Sequence, residues 1–222
     1  KAKEGIELLN DKYAAGKADR FFLLHRPRQW NSQEQIWMGY ERKRGKLADL
    51  NALLRSHTSA DTFALIVGNT HCLPEVQYVI TLDTDTQLPR DAAYQLVGTI
   101  AHPLNRARFD ANKQRVVDGY SILQPRVGVS LSGSNRSRYA RLHAQDAGLD
   151  PYTRAISDVY QDIFAEGSFI GKGIYDVDMF EHALKQRLPE NRILSHDLLE
   201  GSYARAGLIT DVQLYENYPV HY

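Results

Sequence analysis

The sequence is short of cysteine, of long apolar runs and of unbalanced charge, and each shortage removes a class of protein. Cys72 is the single cysteine in 222 residues. That excludes an internal disulfide framework and a cysteine-built zinc site, and it fits a reducing compartment. Basic and acidic residues cancel at 27 each, so neither a nucleic-acid-binding field nor an acidic tail is implied. No apolar run approaches the roughly 20 residues of a membrane span; the longest, such as 63–67, are strand-sized. The opening Lys1-Ala2-Lys3-Glu4 does not read as a signal peptide, and it lacks an initiator Met, so an excised piece of a longer protein is expected. Repeats, low-complexity tracts and a convincing linker are all absent. So are a Gly-x-Ser-x-Gly elbow, a Walker loop and a His-x-x-x-His pair.

What is present suits one soluble globular domain over 1–222, since 43% of residues are hydrophobic and 24% charged, both ordinary proportions. Residue patterns predict helices over 2–15, 46–54, 89–100, 177–187 and 198–206, a heavily charged helix over 136–147, and a helix or irregular segment over 153–164. Strands are predicted over 21–25, 63–67, 76–82, 116–123 and 208–214, with a polar loop over 26–39. Gly207 is read as the stop of the 198–206 helix. Strands alternate with helices for most of the length, which predicts an α/β three-layer architecture with a mainly parallel sheet. Ligands of such sheets sit beyond the carboxyl ends of strands.

Asp83 and Asp85 lie at such an end, after the β-rich run 76–82. Spacing i, i+2 on a strand puts both carboxylates on one side. Two hard oxygen donors suit Mg²⁺ or Mn²⁺ held against a phosphorylated substrate; a polar turn after a strand is the plainer reading. The run Glu41-Arg42-Lys43-Arg44-Gly45-Lys46 precedes a helix. It suits a diphosphate at a helix N-terminus, or else a solvated basic loop or small nucleic-acid patch. Gly167, Gly171 and Gly173 make a dense turn that either lets backbone approach a ligand or simply reverses the chain. In Ser195-His196-Asp197, Ser195 suits a helix cap. Asp197 or His196 suits a general base, and Asp197, rigidly placed at a helix start, is the better of the two. Gln124-Pro125-Arg126 closes an apolar strand, either lining a sugar pocket or ending the strand. A haloacid-dehalogenase phosphatase also follows a strand with Asp-x-Asp, but it wants Thr or Val where Gln87 stands.

These clusters occur in a recognisable order. The segment 45–51, Gly-Lys-Leu-Ala-Asp-Leu-Asn, resembles the Gly-Lys-x-Gly-x-Leu-Asn element of processive inverting glycosyltransferases, with Ala48 in place of a glycine. Leu82-Asp83-Thr84-Asp85 resembles their Asp-x-Asp, 164–173 their acceptor-side Phe-x-Gly-Ser turn, and Ser195-His196-Asp197 their Thr-Glu-Asp, with His196 replacing the Glu. The longer stretches 81–90, 101–105, 146–152 and 171–178 are similar to the glycosyltransferase region of cyclic β-1,2-glucan synthases, and the likeness covers nearly the whole chain.

The resemblance implies a GT-A-like, Rossmann-related fold and UDP-glucose as donor, with Mg²⁺ or Mn²⁺ on its diphosphate. It makes Asp85 and Asp83 the metal ligands and assigns Lys46, Arg44, Asp83 and Thr84 to the nucleotide-sugar. Glu166, Gly167 and Ser168, with Gln124 and Arg126, would meet the β-glucan acceptor. Asp197 would deprotonate the acceptor hydroxyl. It further implies a large parent on the cytoplasmic face of a bacterial inner membrane, with membrane and phosphorylase-like parts and no nucleic-acid partner. The family's first strand and its Gln-x-x-Arg-Trp-like element have no counterpart in this sequence, so a truncated sheet and weak or absent activity are expected. A related synthase of other linkage, or a non-catalytic nucleotide-sugar-binding domain, are the competing readings.

Overall fold

The computed structural model describes residues 1–14, 16–57, 62–130, 155–190, 192–193 and 195–216. The predicted helix over 136–147 and the motif 146–152 lie outside them. The chain packs as two compact units, residues 1–76 with 189–194, and residues 77–188 with 195–222.

In the first unit, α1 (Ala2–Tyr13) precedes β1 (Leu23–His25), which pairs antiparallel with β4 (Leu65–Val67). Buried Asn10 ties helix to strand: its Nδ2 donates to the Phe21 carbonyl, and its Oδ1 accepts from the Arg20 and Phe21 N–H groups. The stretch predicted as a loop is instead a hairpin, β2 (Gln29–Asn31) and β3 (Ile36–Met38), with Trp30 opposite Trp37. The two rings meet edge-on at 6.0 Å, a favourable cross-strand pair that composition alone does not reveal. Helix α2 (Arg42–Leu54) starts four residues before the predicted Lys46. Arg26 holds that start, pairing with Asp49 at 2.7 Å and donating to the Tyr40 and Arg42 carbonyls. A 3₁₀ turn, Thr70–Glu75, packs against α2.

The second unit is built on a four-stranded sheet in the order β10-β8-β9-β5. Its strands are β5 (Tyr78–Thr81), β8 (Ile122–Val129), β9 (Gly173–Asp176) and β10 (Ala206–Glu216). A hairpin, β6 (Arg108–Asp110) with β7 (Arg115–Asp118), precedes β8. β10 and β8 pair in parallel, whereas β9 is antiparallel to both β8 and β5. The sheet is therefore mixed rather than mainly parallel. The difference is β9, hidden in sequence because Gly173 and its neighbours read as turn chemistry.

Helix α3 (Ala92–Ile100) starts three residues after Pro89 and buries Ala92, Leu96 and Ile100, one face at i, i+4, i+8. They pack on Leu123, Ile174, Ile209 and Val212 of the sheet. Tyr175, adjacent to Ile174 and so on the opposite face, stacks on Phe180 of α5 (Val177–Leu184) at 4.4 Å. The other α-helices among the described residues are α4 (Ala155–Phe164) and α6 (Asp197–Ala204), the latter ending at Arg205 with φ 55°.

Gln124-Pro125-Arg126 lies inside β8 rather than at its close. Proline has no N–H for the ladder and is tolerated where pairing is interrupted. Here β10 jumps from Ile209, opposite Pro125, to Gln213, opposite Arg126.

Candidate functional site

In the second unit β5, β8 and β10 run in one direction and β9 against them. The carboxyl ends of three strands thus share one edge with the amino end of β9, the edge at which open α/β sheets take ligands. Asp83 and Asp85 lie there, past Thr81, the last residue of β5. They stand in a turn, so its geometry rather than strand alternation sets where they point. The Thr86 N–H donates to the Asp83 carbonyl at 3.1 Å, and the Asp83 N–H donates to Thr86 Oγ1 at 3.2 Å. Asp83 is half-buried, and Thr84 and Asp85 are exposed. An antiparallel bridge from Gln87 to Tyr215, with N–H···O distances of 2.7 and 3.2 Å, pins the turn to the end of β10.

The turn before β9 supplies the centre of the arrangement. Lys172 Nζ lies 3.3 Å from Asp83 Oδ2 and 2.6 Å from Glu216 Oε1, and Glu216 Oε1 also accepts from Thr86 Oγ1 at 2.9 Å. Burial works to lower the pKa of the Lys172 ammonium, but the hydrogen bonds and charges of Glu216 and Asp83 outweigh it and hold the pKa above the ordinary lysine value. Lys172 is therefore charged at neutral pH. Neither Lys172 nor Glu216 was among the residues the sequence singled out. The placement of a lysine between two glycines beside a strand was the available signal for the first; nothing local marked the second.

Gly171 has φ +82°, a conformation that side chains with a Cβ adopt at a cost, and a Cβ there would stand 3.0 Å from the Asp197 carboxylate. Asp197 is the first residue of α6, as expected, but Ser195 is not its cap: His196 holds the N-cap position, and Ser195 Oγ donates to Asp197 Oδ2 at 3.4 Å. His196 itself is buried, which favours Asp197 as the group able to meet a substrate. The turn is fixed from beneath. Thr81 Oγ1 donates to the Gly171 carbonyl at 3.1 Å, and the Ile170 N–H donates to Gln124 Oε1 at 3.0 Å.

Other predicted site residues already have protein partners. Gln124, 1% exposed, also donates through Nε2 to the Pro125 carbonyl, so its amide positions the turn. Arg126 pairs with Asp158 at 2.8 Å. Glu166 pairs with Arg115 and with Arg205. The Gly167 N–H donates to the Ala206 carbonyl, and Ser168 beside it is half-buried. Lys46 and Arg44 belong to the first unit. Lys46 lies inside α2 as expected, Arg44 inside it rather than ahead of it, and Arg44 reaches buried Glu41 at 3.4 Å. The basic run is thus the first turn and a half of a helix rather than a loop ahead of it.

Among the described residues no three His, Cys, Asp or Glu side chains are grouped to hold a metal by themselves. Mg²⁺-type ions, however, are commonly bound by one or two carboxylates plus substrate phosphates. An exposed Asp85 beside Asp83 fits an ion arriving with a diphosphate, and does not fit a closed protein cage.

No protein-family model matches the chain. It is 55% identical over 223 residues to the cyclic β-(1,2)-glucan synthase NdvB of Rhizobium meliloti (strain 1021). That match covers all of this chain and 8% of the length of the relative. Among the described residues no helix is long and apolar enough to cross a membrane. The resemblance read from the motifs thus extends over the whole chain, which over its full length is related to one segment of a cyclic β-(1,2)-glucan synthase.

Proposed function

We propose that the chain is the donor-binding and transfer region of an inverting glucosyltransferase with a GT-A-like fold, moving glucose from UDP-glucose to a growing β-1,2-glucan. The observation that carries this reading is the turn at Gly171 and Lys172, two consecutive residues that touch Asp197 and Asp83 respectively. One loop thereby packs against both a carboxylate suited to a diphosphate-bound ion and a carboxylate suited to proton abstraction. The kinship with a β-glucan synthase supports the same chemistry.

Asp85, exposed at the tip of the turn, and Asp83 would hold Mg²⁺ or Mn²⁺. The chemistry supplied by such an ion, when bound, is Lewis-acid stabilisation of the leaving diphosphate. Asp197 takes the proton of the acceptor hydroxyl as its oxygen attacks the anomeric carbon. The C1–oxygen bond to UDP breaks as the new bond forms on the opposite face, and its electron pair leaves with UDP, giving a β linkage. Gln124 and Thr81 keep the loop in place. Lys46 and Arg44 are proposed nucleotide contacts, to be tested by the UDP affinity of their alanine variants. The parent would work at the cytoplasmic face of a bacterial inner membrane, in concert with its membrane and phosphorylase-like parts.

Calorimetric titration with UDP, first with Mn²⁺ and then with the metal chelated, tests the donor assignment. Metal-dependent binding that disappears in Asp85→Ala supports it; binding indifferent to both metal and Asp85 removes it.

A further inference from the structure

We propose that Lys172 is a resident counter-cation of the donor site, holding Asp83 against Glu216 so that a divalent ion loads only together with a diphosphate. The inference rests on the reading of Asp83 and Asp85 as metal ligands. Its own foundation is geometric. One ammonium lies within 3.3 Å of Asp83 Oδ2 and 2.6 Å of Glu216 Oε1, and its side chain is only 14% exposed. These two carboxylates come from opposite edges of the sheet, the turn after β5 and the last residue of β10. Thr86 donates to the same Glu216 oxygen and accepts from the Asp83 backbone. Lys172, Glu216, Thr86 and Asp83 thus form a closed ring of contacts around the base of the Asp-x-Asp turn.

A cation approaching Asp83 meets a positive charge already seated on it. At separations of a few ångströms in a half-buried setting this repulsion is large; Glu216, on the same ammonium, offsets part of the charge, but Lys172 still occupies the Asp83 oxygen that an ion would need. A diphosphate brings negative charge of its own, which pairs with the ion and faces the ammonium favourably. Lys172 is therefore a positioning residue with a specificity role: it holds Asp83 in place and makes ion binding conditional on the donor.

The test is Mn²⁺ titration of the 222-residue protein by electron paramagnetic resonance, without and with saturating UDP, with thermal unfolding to confirm that each variant folds. Without UDP, Lys172→Met and Lys172→Gln are expected to bind Mn²⁺ roughly tenfold or more tightly than the wild type, because Asp83 and Glu216 are left facing each other across the vacated space. Lys172→Arg, which keeps the charge, is expected to bind no more tightly than the wild type. The double variant Lys172→Met, Glu216→Gln has the wild-type net charge, yet it should still bind more tightly, since Asp83 has lost its competitor. If the double variant returns to the wild-type affinity, general charge rather than occupancy of Asp83 explains the effect, and the proposal falls. It falls equally if neither neutral variant binds more tightly while the wild type binds Mn²⁺ with UDP. Absence of Mn²⁺ binding in every variant, with and without UDP, overturns the metal assignment and this inference with it.

Discussion

Gly171 faces Asp197 so closely that a single added carbon would stand 3.0 Å from all three carboxylate atoms, Cγ, Oδ1 and Oδ2. Gly171→Ala is therefore expected to act twice. The φ of +82° makes alanine cost about 1–2 kcal/mol of stability, read as a lower denaturant midpoint. Displacement of the carboxylate should lower glucosyl transfer on the order of tenfold to a hundredfold, with UDP affinity near wild type. Unchanged transfer would show that Asp197 has room to move without consequence.

Asp85→Ala and Asp197→Asn should separate two roles. The first is expected to abolish metal-dependent UDP-glucose binding. The second is expected to keep binding and remove transfer, by at least about a hundredfold. Calorimetry paired with a transfer assay reads both, and equal loss of binding in the two variants would overturn the division of labour.

Thr81 is buried, and its hydroxyl donates to the carbonyls of Gly171 and Gly173 at 3.1 and 3.4 Å. Thr81→Val keeps the shape and removes the donor, so it should destabilise by about 1 kcal/mol and lower transfer, because the loop that touches Asp83 and Asp197 loses its anchor. Thr81→Ser should restore both in the same unfolding and transfer measurements.

Tyr40 in the first unit titrates late. Burial, then the hydrogen bond and charge of Glu190, then the charge of Glu41 push its pKa up to about 12. The folded state thus favours the protonated phenol. The stability this contributes is fully present below the unfolded tyrosine pKa of about 10, and it is lost as pH rises through about 12. In an ultraviolet titration, Tyr40→Phe should delete a phenol that ionises near pH 12 and flatten the loss of stability across that window.

Core and surface should respond differently in the second unit. Ile174 is fully buried, whereas Leu104 is 84% exposed. Ile174→Ala is expected to cost about 2–5 kcal/mol, and Leu104→Ala less than about 0.5 kcal/mol. Chemical denaturation of the two variants checks the contrast.

Much of the fold was legible wherever apolar periodicity is strong. Helix α1, the α3 stripe of Ala92, Leu96 and Ile100, the start of α6 at Asp197 and strand β5 all follow from spacing. Where a pattern is short or glycine-rich it misled. The Trp30–Trp37 hairpin read as loop, and β9 read as turn because its first residue is Gly173. β8 read as ending at Pro125 because an unpaired N–H position is invisible until the partner strand is known to jump there.

Sequence by itself determined the local chemistry: an Asp-x-Asp after a strand, a carboxylate opening a helix, a glycine-dense loop, and their order along the chain. Those properties depend on neighbours within a few positions. Tertiary structure alone decided that Lys172 joins Asp83 to Glu216 and that Gly171 abuts Asp197. Glu216 lies 130 residues from its hydrogen-bond partner Thr86, and contacts over such distances are set by sheet order and strand direction. A mixed sheet with β9 inserted between β5 and β8 puts these groups on one edge.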